Sequence, residues 1–346
     1  MQETPFISIV VPVRNEENYI VRCLQSIVEQ DYSKERLEIL VVDGMSGDRT
    51  REIVKKYVQQ YPFIKLFNNS KRIVPSALNI GIKQAKGEII MRMDAHNVYA
   101  KDYISKCVKY LKEYNADNVG GICITLAGGN SILGQAIALT LAHAFGVGNA
   151  YFRIGSKKPK YVDTVPFGCY KREVFEEIGL FDEELVRNQD DEFNLRLIKN
   201  GGKILLVPEI VSYYYSRDSL SKLWNMYFQY GYFKPLVAQK IGAVLTWRQI
   251  IPPIFASALI LAALLSFFSN FVAWLFLLII GVYFCANLLF SFSIALKTGL
   301  KLLPFLQISF ATLHLSYGLG YLKGILDFIV RKKNLKKKIA DMPITR

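Results

Sequence analysis

Between Ile250 and Leu296 the chain has no aspartate, glutamate, lysine or arginine, and it has none again between Leu302 and Leu322. That lack excludes a C-terminal half fully bathed in water. A bilayer core takes about 20 apolar residues per helix, so the first stretch has room for two crossings, turning at Ser269-Asn270, and the second for one more. Histidine is scarce, at three residues, and the five cysteines (Cys23, Cys107, Cys123, Cys169, Cys285) are odd in number and lack metal-ligand spacing. A zinc cage and a disulfide framework are therefore not expected; the cysteines fit a reducing compartment and a structural role. The opening MQETPFISIVVPV lacks a basic leader region and a small-residue cleavage site, and it reads as a first strand rather than a signal peptide. The first strand is not followed by G-x-G-x-x-G, which argues against a dinucleotide dehydrogenase.

What the chain has in excess is positive charge and apolar bulk: 346 residues, 51% hydrophobic, with a formal charge of +14. The basic run Arg331 to Lys338 follows apolar helices, so its expected partner is an anionic lipid surface and not nucleic acid.

Residues 6–13, 37–44, 64–69 and 88–94 are short runs rich in β-branched residues, separated by amphipathic stretches at 15–30, 48–57 and 75–87. Asn15 is the expected N-cap of the first helix. Strands buried on both faces and alternating with helices predict an α/β domain with a mostly parallel sheet. Residues 118–125 read as a further strand, and the uncharged stretch 131–152 as a helix that is buried or lies at an interface. Residues 166–185 read as a loop and short helix, 188–202 as a helix stopped by Gly201-Gly202, and 203–215 as a strand. Residues 219–240 mix aromatics with lysine, as helices at a membrane surface do. The expected division is a catalytic domain over 1–235, then interfacial and transmembrane helices with a basic tail over 236–346.

In open α/β sheets ligands bind beyond the carboxyl ends of the strands, and Asp43 and Asp94 both fall there. An acid at the position of Asp43 can accept the N3–H of a uracil ring; it can also simply begin a turn, because Asp-Gly favours turns. The remaining two histidines, His143 and His314, are expected to pack rather than ligate.

PVRNEENYI, VVDGMSGDRTREIV, SALNIGIKQAKGEIIMRMDAH and QDDEFNLRLIKNGG follow the order and spacing found in family 2 glycosyltransferases. Over roughly residues 5–235 the chain resembles these GT-A-fold enzymes, and more loosely their membrane-anchored members that build exopolysaccharide repeat units of the succinoglycan type. The resemblance places Asp94-Ala95-His96 at the family's D-x-D motif. It implies a divalent metal held by Asp94 and His96, and a histidine in the second place favours Mn2+ over Mg2+. Gln189-Asp190-Asp191-Glu192 matches E-D-x-E-x-x-x-R with Gln first, which makes Asp190 the general base. Nucleotide or substrate contacts are implied for Pro12, Arg14 and Glu16 in the first turn, for Asp43, Arg72 and Asp94, and for Asp191, Glu192 and Arg217.

The function implied is inverting transfer of one sugar from a nucleotide-sugar, expected to be a UDP-sugar, to a lipid-linked saccharide on the cytoplasmic side of a membrane. Polysaccharide-assembly enzymes are its expected neighbours. A processive synthase is disfavoured because Gln229-Tyr230-Gly231-Tyr232-Phe233 lacks the Arg and Trp of Q-x-x-R-W. A polyprenyl-phosphate sugar transferase and a non-catalytic membrane scaffold are the alternatives. For the third apolar segment a re-entrant or interfacial placement is expected, because a third crossing would put the basic tail outside, against the positive-inside rule.

Overall fold

The computed structural model describes residues 4–242 and 246–332. Most of the expected tail, including Lys333 to Lys338, lies outside them. The chain divides into two compact units, Met1–Ile124 with Tyr151–Tyr214, and Thr125–Ala150 with Tyr215–Arg346.

The first unit opens with β1 (Ile7–Val13), α1 (Ile20–Val28), β2 (Leu37–Asp43), α2 (Thr50–Gln60), β3 (Ile64–Asn68), α3 (Val74–Gln84) and β4 (Ile89–Arg92). It continues through β5 (Asn97–Tyr99), α4 (Tyr103–Glu113) and β6 (Asn118–Leu126). After the segment that joins the second unit come α7 (Tyr151–Ile154), β7 (Lys160–Tyr161), β8 (Cys169–Lys171), α8 (Arg172–Glu177), α9 (Gln189–Lys199) and β9 (Ile204–Tyr215), where α5 (Ile132–Leu141) and α6 (Ala144–Val147) make up the intervening helices.

The sheet runs β3-β2-β1-β4-β8-β6-β9-β5, with β7 alongside β9. β1 pairs in parallel with β2 and β4, and β2 with β3, as the βαβ pattern requires. Beyond β4 the character changes: β8 is antiparallel to β4 and to β6, and β5 and β7 are antiparallel to β9. The sheet is therefore mixed, parallel only in the half where strands alternate with long helices. Its core includes Val10, Leu40, Val42, Leu78, Ile90 and Phe193.

Two local expectations are corrected. The first helix starts at Ile20, not near Asn15, whose backbone is left-handed at φ 54°. Asn15 instead braces the neighbouring loop: its N–H donates to Ser46 Oγ at 3.0 Å and its Oδ1 accepts from Gly47 N–H at 2.9 Å. The stretch 131–152 is three short helices, broken where His143 caps α6 with its Nδ1 and where Gly148 takes φ 63°. Ten residues of α5 rise about 15 Å, half a bilayer core, so it packs: Ala136 joins a buried cluster with Ala295, Leu302 and Leu306.

The second unit is helical: besides α5 and α6 it has α10 (Leu220–Ile241), α11 (Trp247–Leu265), α12 (Asn270–Thr298) and α13 (Leu303–Gly324), the last running on as a π-helical turn over Ile325–Val330. Three segments, Trp247–Leu265, Asn270–Thr298 and Leu300–Val330, are long and apolar enough to cross a membrane. The expected turn at Ser269-Asn270 separates the first two. α10 and α13 meet backbone to backbone: a Cβ added to Gly231 would lie 2.1 Å from the Tyr317 carbonyl oxygen, and one at Gly320 would lie 2.2 Å from that of Phe228. Small residues permit that approach. His314 bonds Tyr283 Oη and the Phe145 carbonyl at 2.9 and 2.8 Å, a packing role as expected.

Candidate active site

β1, β2 and β4 are adjacent and parallel, so their carboxyl ends open on one edge of the sheet. Residues from all three gather there. After β1, the turn carrying Arg14, Asn15, Glu16 and Glu17 is laced to the loop after β2. Glu16 N–H donates to Thr50 Oγ1 at 2.6 Å, Glu17 N–H to Asp48 Oδ2 at 3.2 Å, and Arg49 N–H returns a bond to Glu17 Oε2 at 3.1 Å. Pro12 is partly buried in the last turn of β1. Arg14 packs across Gly44 and donates to the Arg72 carbonyl at 3.3 Å, while its Nε is buried without a hydrogen-bond partner. Arg72 is exposed, in a left-handed conformation at φ 60°.

Asp43 ends β2 with no exposed surface. Its carboxylate accepts from Ser46 Oγ at 2.5 Å and from Arg51 Nη1 at 3.0 Å. The Asp-Gly turn reading thus has structural substance, because Asp43 organises its own loop: both of its oxygens also accept from Ser46 N–H, at 3.3 Å.

β4 stops at Arg92, one residue pair short of the expected end, and the turn that follows presents Asp94 and His96. Arg92 is the residue that the sequence reading missed. Its Nε and Nη2 grip Asp94 Oδ1 and Oδ2 in a two-pronged fork at 2.8 and 3.0 Å, and its Nη1 lies 3.8 Å from Asp190 Oδ2. The signal was present: one arginine inside an apolar strand that ends in an acid is a buried cation in need of anions. Burial alone would push the Asp94 carboxyl up, but Arg92, with smaller help from His96 and Arg187, outweighs it and leaves Asp94 below the usual carboxylate range. Burial alone would likewise disfavour the Arg92 cation, yet Asp94 and Asp190 hold it firmly protonated. Tyr99 completes this corner, its Oη accepting from Asp94 N–H at 2.7 Å.

His96 Nδ1 stands 3.5 Å from Glu16 Oε1, and its ring meets Tyr214 edge-on at 5.7 Å. Arg153 lies over the other part of this aromatic patch, 5.1 Å from the Tyr214 ring. Among the described residues no three His, Cys, Asp or Glu side chains form a ready metal cage. The donors present, one carboxylate and one imidazole beside Glu16, suit a transition ion that takes its other ligands from outside the protein, as a diphosphate provides.

α9 brings the opposite wall. Asn188, at φ 60°, turns the chain into the helix, and Asp190, Asp191 and Glu192 occupy the first turn, where the helix dipole favours negative charge. Asp190 is 42% exposed on its side chain, open enough to meet a ligand, and faces Arg92. Asp191 is also partly exposed. Glu192 differs: it is buried and bound by Arg196 at 2.7 and 2.9 Å, while Arg196 also donates to the carbonyls of Ile178 and Leu180. That network ties α9 to the turn after α8. Arg217 belongs to the helical unit, with a buried, unpartnered Nε. Among the described cysteines, Cys23, Cys107, Cys123 and Cys169 are buried and none is in a disulfide; burial first, then Asp94 and Glu16, pushes the Cys23 thiol up and keeps it inert.

Residues 8–179 match the model of glycosyl transferase family 2. The chain is 30% identical over 93% of its length, and 97% of the relative's, to a dolichyl N-acetyl-α-D-glucosaminyl phosphate 3-β-D-2,3-diacetamido-2,3-dideoxy-β-D-glucuronosyltransferase of Methanococcus voltae. It is 27% identical to the succinoglycan biosynthesis protein ExoA of Rhizobium meliloti, covering 92% of this chain and 95% of that one. Among solved structures, the mannosyltransferase PcManGT of Pyrobaculum calidifontis, in complex with GDP-Man and Mn2+, shares the fold at a TM-score of 0.57 and 21% identity over 91% of this chain and 88% of that chain. The edge of parallel strands, the acidic turn after β4 and the acidic start of α9 thus sit in a chain that belongs to glycosyltransferase family 2 and is a glycosyltransferase.

Proposed function

We propose that this enzyme transfers a single sugar, with inversion, from a nucleotide-sugar to a lipid-linked saccharide. The observation that carries the reading is Asp190 standing across the strand edge from Asp94, with Arg92 between them. A carboxylate there can take the proton of an acceptor hydroxyl as that oxygen bonds to the anomeric carbon, while the bond from that carbon to the diphosphate oxygen breaks and the nucleoside diphosphate departs with the electron pair. Attack from the face opposite the leaving group inverts the centre. Asp94 and His96 would hold a divalent cation, whose bound charge offsets that of the diphosphate leaving group. Imidazole suits Mn2+ better than Mg2+, so the rate with Mn2+ should exceed that with Mg2+; equal or reversed rates would count against His96 as a ligand. Asp43, with Arg14 and Arg72 beside it, is the proposed seat of the nucleoside, with uracil the base whose N3–H Asp43 can accept. Arg217 is proposed to meet phosphate.

The lipid-linked acceptor is supported by the Methanococcus relative, whose name specifies a dolichyl phosphate sugar, and a place in cell-surface polysaccharide assembly by the succinoglycan relative. Three membrane-length helices fit an acceptor that is itself in the bilayer. We place the sugar-transfer domain, proposed to span 1–235, on the cytoplasmic side. The deciding experiment is nucleotide release from a panel of UDP-, GDP- and dTDP-sugars by detergent-purified protein with Mn2+ and lipid extract, for wild type and Asp190→Asn. A loss on the order of 10²-fold to 10⁴-fold is expected. An undiminished rate would mean that the acceptor needs no base, as with a phosphate nucleophile.

A further inference from the structure

Arg92 has more to do than fill a buried corner. Its planar fork is bonded to the carboxylate of the turn after β4, and its remaining nitrogen faces the carboxylate of α9. The guanidinium is 13% exposed and Asp94 15%, so water screens their contact little. It also has little freedom to move: its backbone N–H donates to the Gly168 carbonyl at 3.0 Å, fixing the end of β4 against the loop before β8. Asp94 is held in turn by Tyr99, through its backbone N–H. Asp190 stands on a helix that starts from a left-handed residue and whose next side chains, Glu192 and Phe193, are locked by Arg196 and by an aromatic stack. Two rigid supports therefore end in two acids, and Arg92 spans the gap between them.

We infer that Arg92 is a positioning residue for sugar transfer, a strut that sets the Asp190 carboxylate at a fixed place relative to the donor-side carboxylate Asp94. This inference rests on Asp190 being the base. Lysine keeps the charge but cannot make the planar, two-pronged bond and still reach a third oxygen. Removing that constraint lets Asp190 shift, and a displacement of about 1 Å in a reacting group costs roughly 10²-fold in rate. Lysine keeps a cation beside Asp94, so the contacts proposed for the donor, through Asp43, the turn after β1 and a cation held by Asp94 and His96, are expected to survive the change.

The test is Arg92→Lys, Asp190→Glu and the double variant in the full-length, detergent-purified protein, measured for kcat, for donor KM and for Mn2+-dependent UDP binding by calorimetry. Arg92→Lys should lower kcat by about 30- to 100-fold with donor KM and UDP affinity within threefold. Because both changes displace the same carboxylate, the double variant should lose far less than the product of the single losses. A kcat loss under threefold, or one that appears in donor KM and UDP binding, would overturn the strut. So would losses that multiply in the double variant, which would mean that Arg92 acts without Asp190. Asp190→Asn separates the two ideas: if that variant keeps its rate, it is the base assignment that fails, whatever Arg92→Lys does. Arg92→Met, which deletes charge and fork together, checks that a folded but inactive protein can be recognised by its UDP binding.

Discussion

Replacing Phe193 with alanine tests whether the aromatic stack under α9 is what holds the proposed base. Phe193 has no exposed surface and sits three residues after Asp190. Its ring stacks on Phe181 at 4.4 Å and on Phe175 at 5.2 Å, and meets Tyr170 edge-on at 5.5 Å; Arg196 lies over it at 5.1 Å. Emptying such a site costs about 3–5 kcal/mol, the transfer of the ring plus the cavity it leaves, and aromatic pairs of this geometry contribute part of that. At about 2–4 °C per kcal/mol for a unit of this size, the melting temperature should fall by roughly 6–20 °C. The assay is thermal unfolding in detergent, with sugar transfer measured well below the lower midpoint. Phe193 lies one turn after Asp190 on α9, so loss of the stack should also lower kcat, by up to about 10²-fold, in protein that is still folded. A shift under 2 °C, or a large shift with full activity, would refute the claim that the stack positions the catalytic turn.

Gly231→Leu should destabilise the helical unit by about 1–3 kcal/mol, because its Cβ would fall 2.1 Å from the Tyr317 carbonyl oxygen of α13; size-exclusion chromatography after graded heating would show it, and unchanged behaviour would mean that α10 and α13 do not pack this closely. Acid should unfold the sheet unit through its paired carboxylates. Glu38, pushed up by burial but pulled down further by Ser8, Lys65 and the Lys86 N–H, and Asp94, pulled down by Arg92, both have folded values below their unfolded ones. Their stabilisation is therefore full above the unfolded value of about 4 and is lost as pH falls through the lower folded value. Melting temperature should be level above about pH 5.5 and drop below about pH 4, with a shallower drop in Glu38→Gln; an equally steep drop in that variant would remove Glu38 from the account.

The parallel half of the sheet was legible because each strand there is a β-branched run followed by an amphipathic helix. β8 was not: three residues, Cys169 to Lys171, give no periodicity, and their strand character comes from β4 and β6 on either side. The long helix read over 131–152 failed for the opposite reason, since apolar composition carries no sign of the break that His143 and Gly148 impose. In the site, position along the chain was enough to put Asp43 and Asp94 at the carboxyl ends of their strands, whereas His96 and Asp190 were singled out only by the family resemblance. Their partners were harder. Whether Glu192 meets a ligand or a neighbour depends on where Arg196 points, and the link from Arg92 to Asp190 joins residues almost one hundred positions apart. Such pairs are fixed by the fold and leave no local pattern.

The third membrane-length helix poses a question of depth that its packing helps to answer. α12 is bare, with only Asn287, Ser291 and Ala295 buried, as suits a helix surrounded by lipid. α13 is different: Gly320 and Gly324 lie against the carbonyls of Phe228 and Tyr232 in α10, and Tyr232 Oη donates to buried Asp327 at 3.1 Å. α10 carries Lys222, Lys234 and Lys240 and is not apolar enough to count among the three candidate spans. A full crossing by the second half of α13 would draw this part of α10, together with Asp327 and its partner Lys323, toward hydrocarbon, where a central charge costs about 2.5–3.5 kcal/mol on insertion scales. The packing supports an α13 that lies at the interface or re-enters, which leaves two crossings and returns Lys301 and Lys332 to the side from which α11 sets out. The hairpin tip between α11 and α12, with Phe267 and Phe268 each 86% exposed, then faces the other side. In intact cells, in a Cys285→Ser background, an impermeant maleimide should label Phe268→Cys but leave Lys332→Cys untouched until the membrane is opened. Labelling of both would mean three crossings, and labelling of neither would mean that the hairpin does not cross.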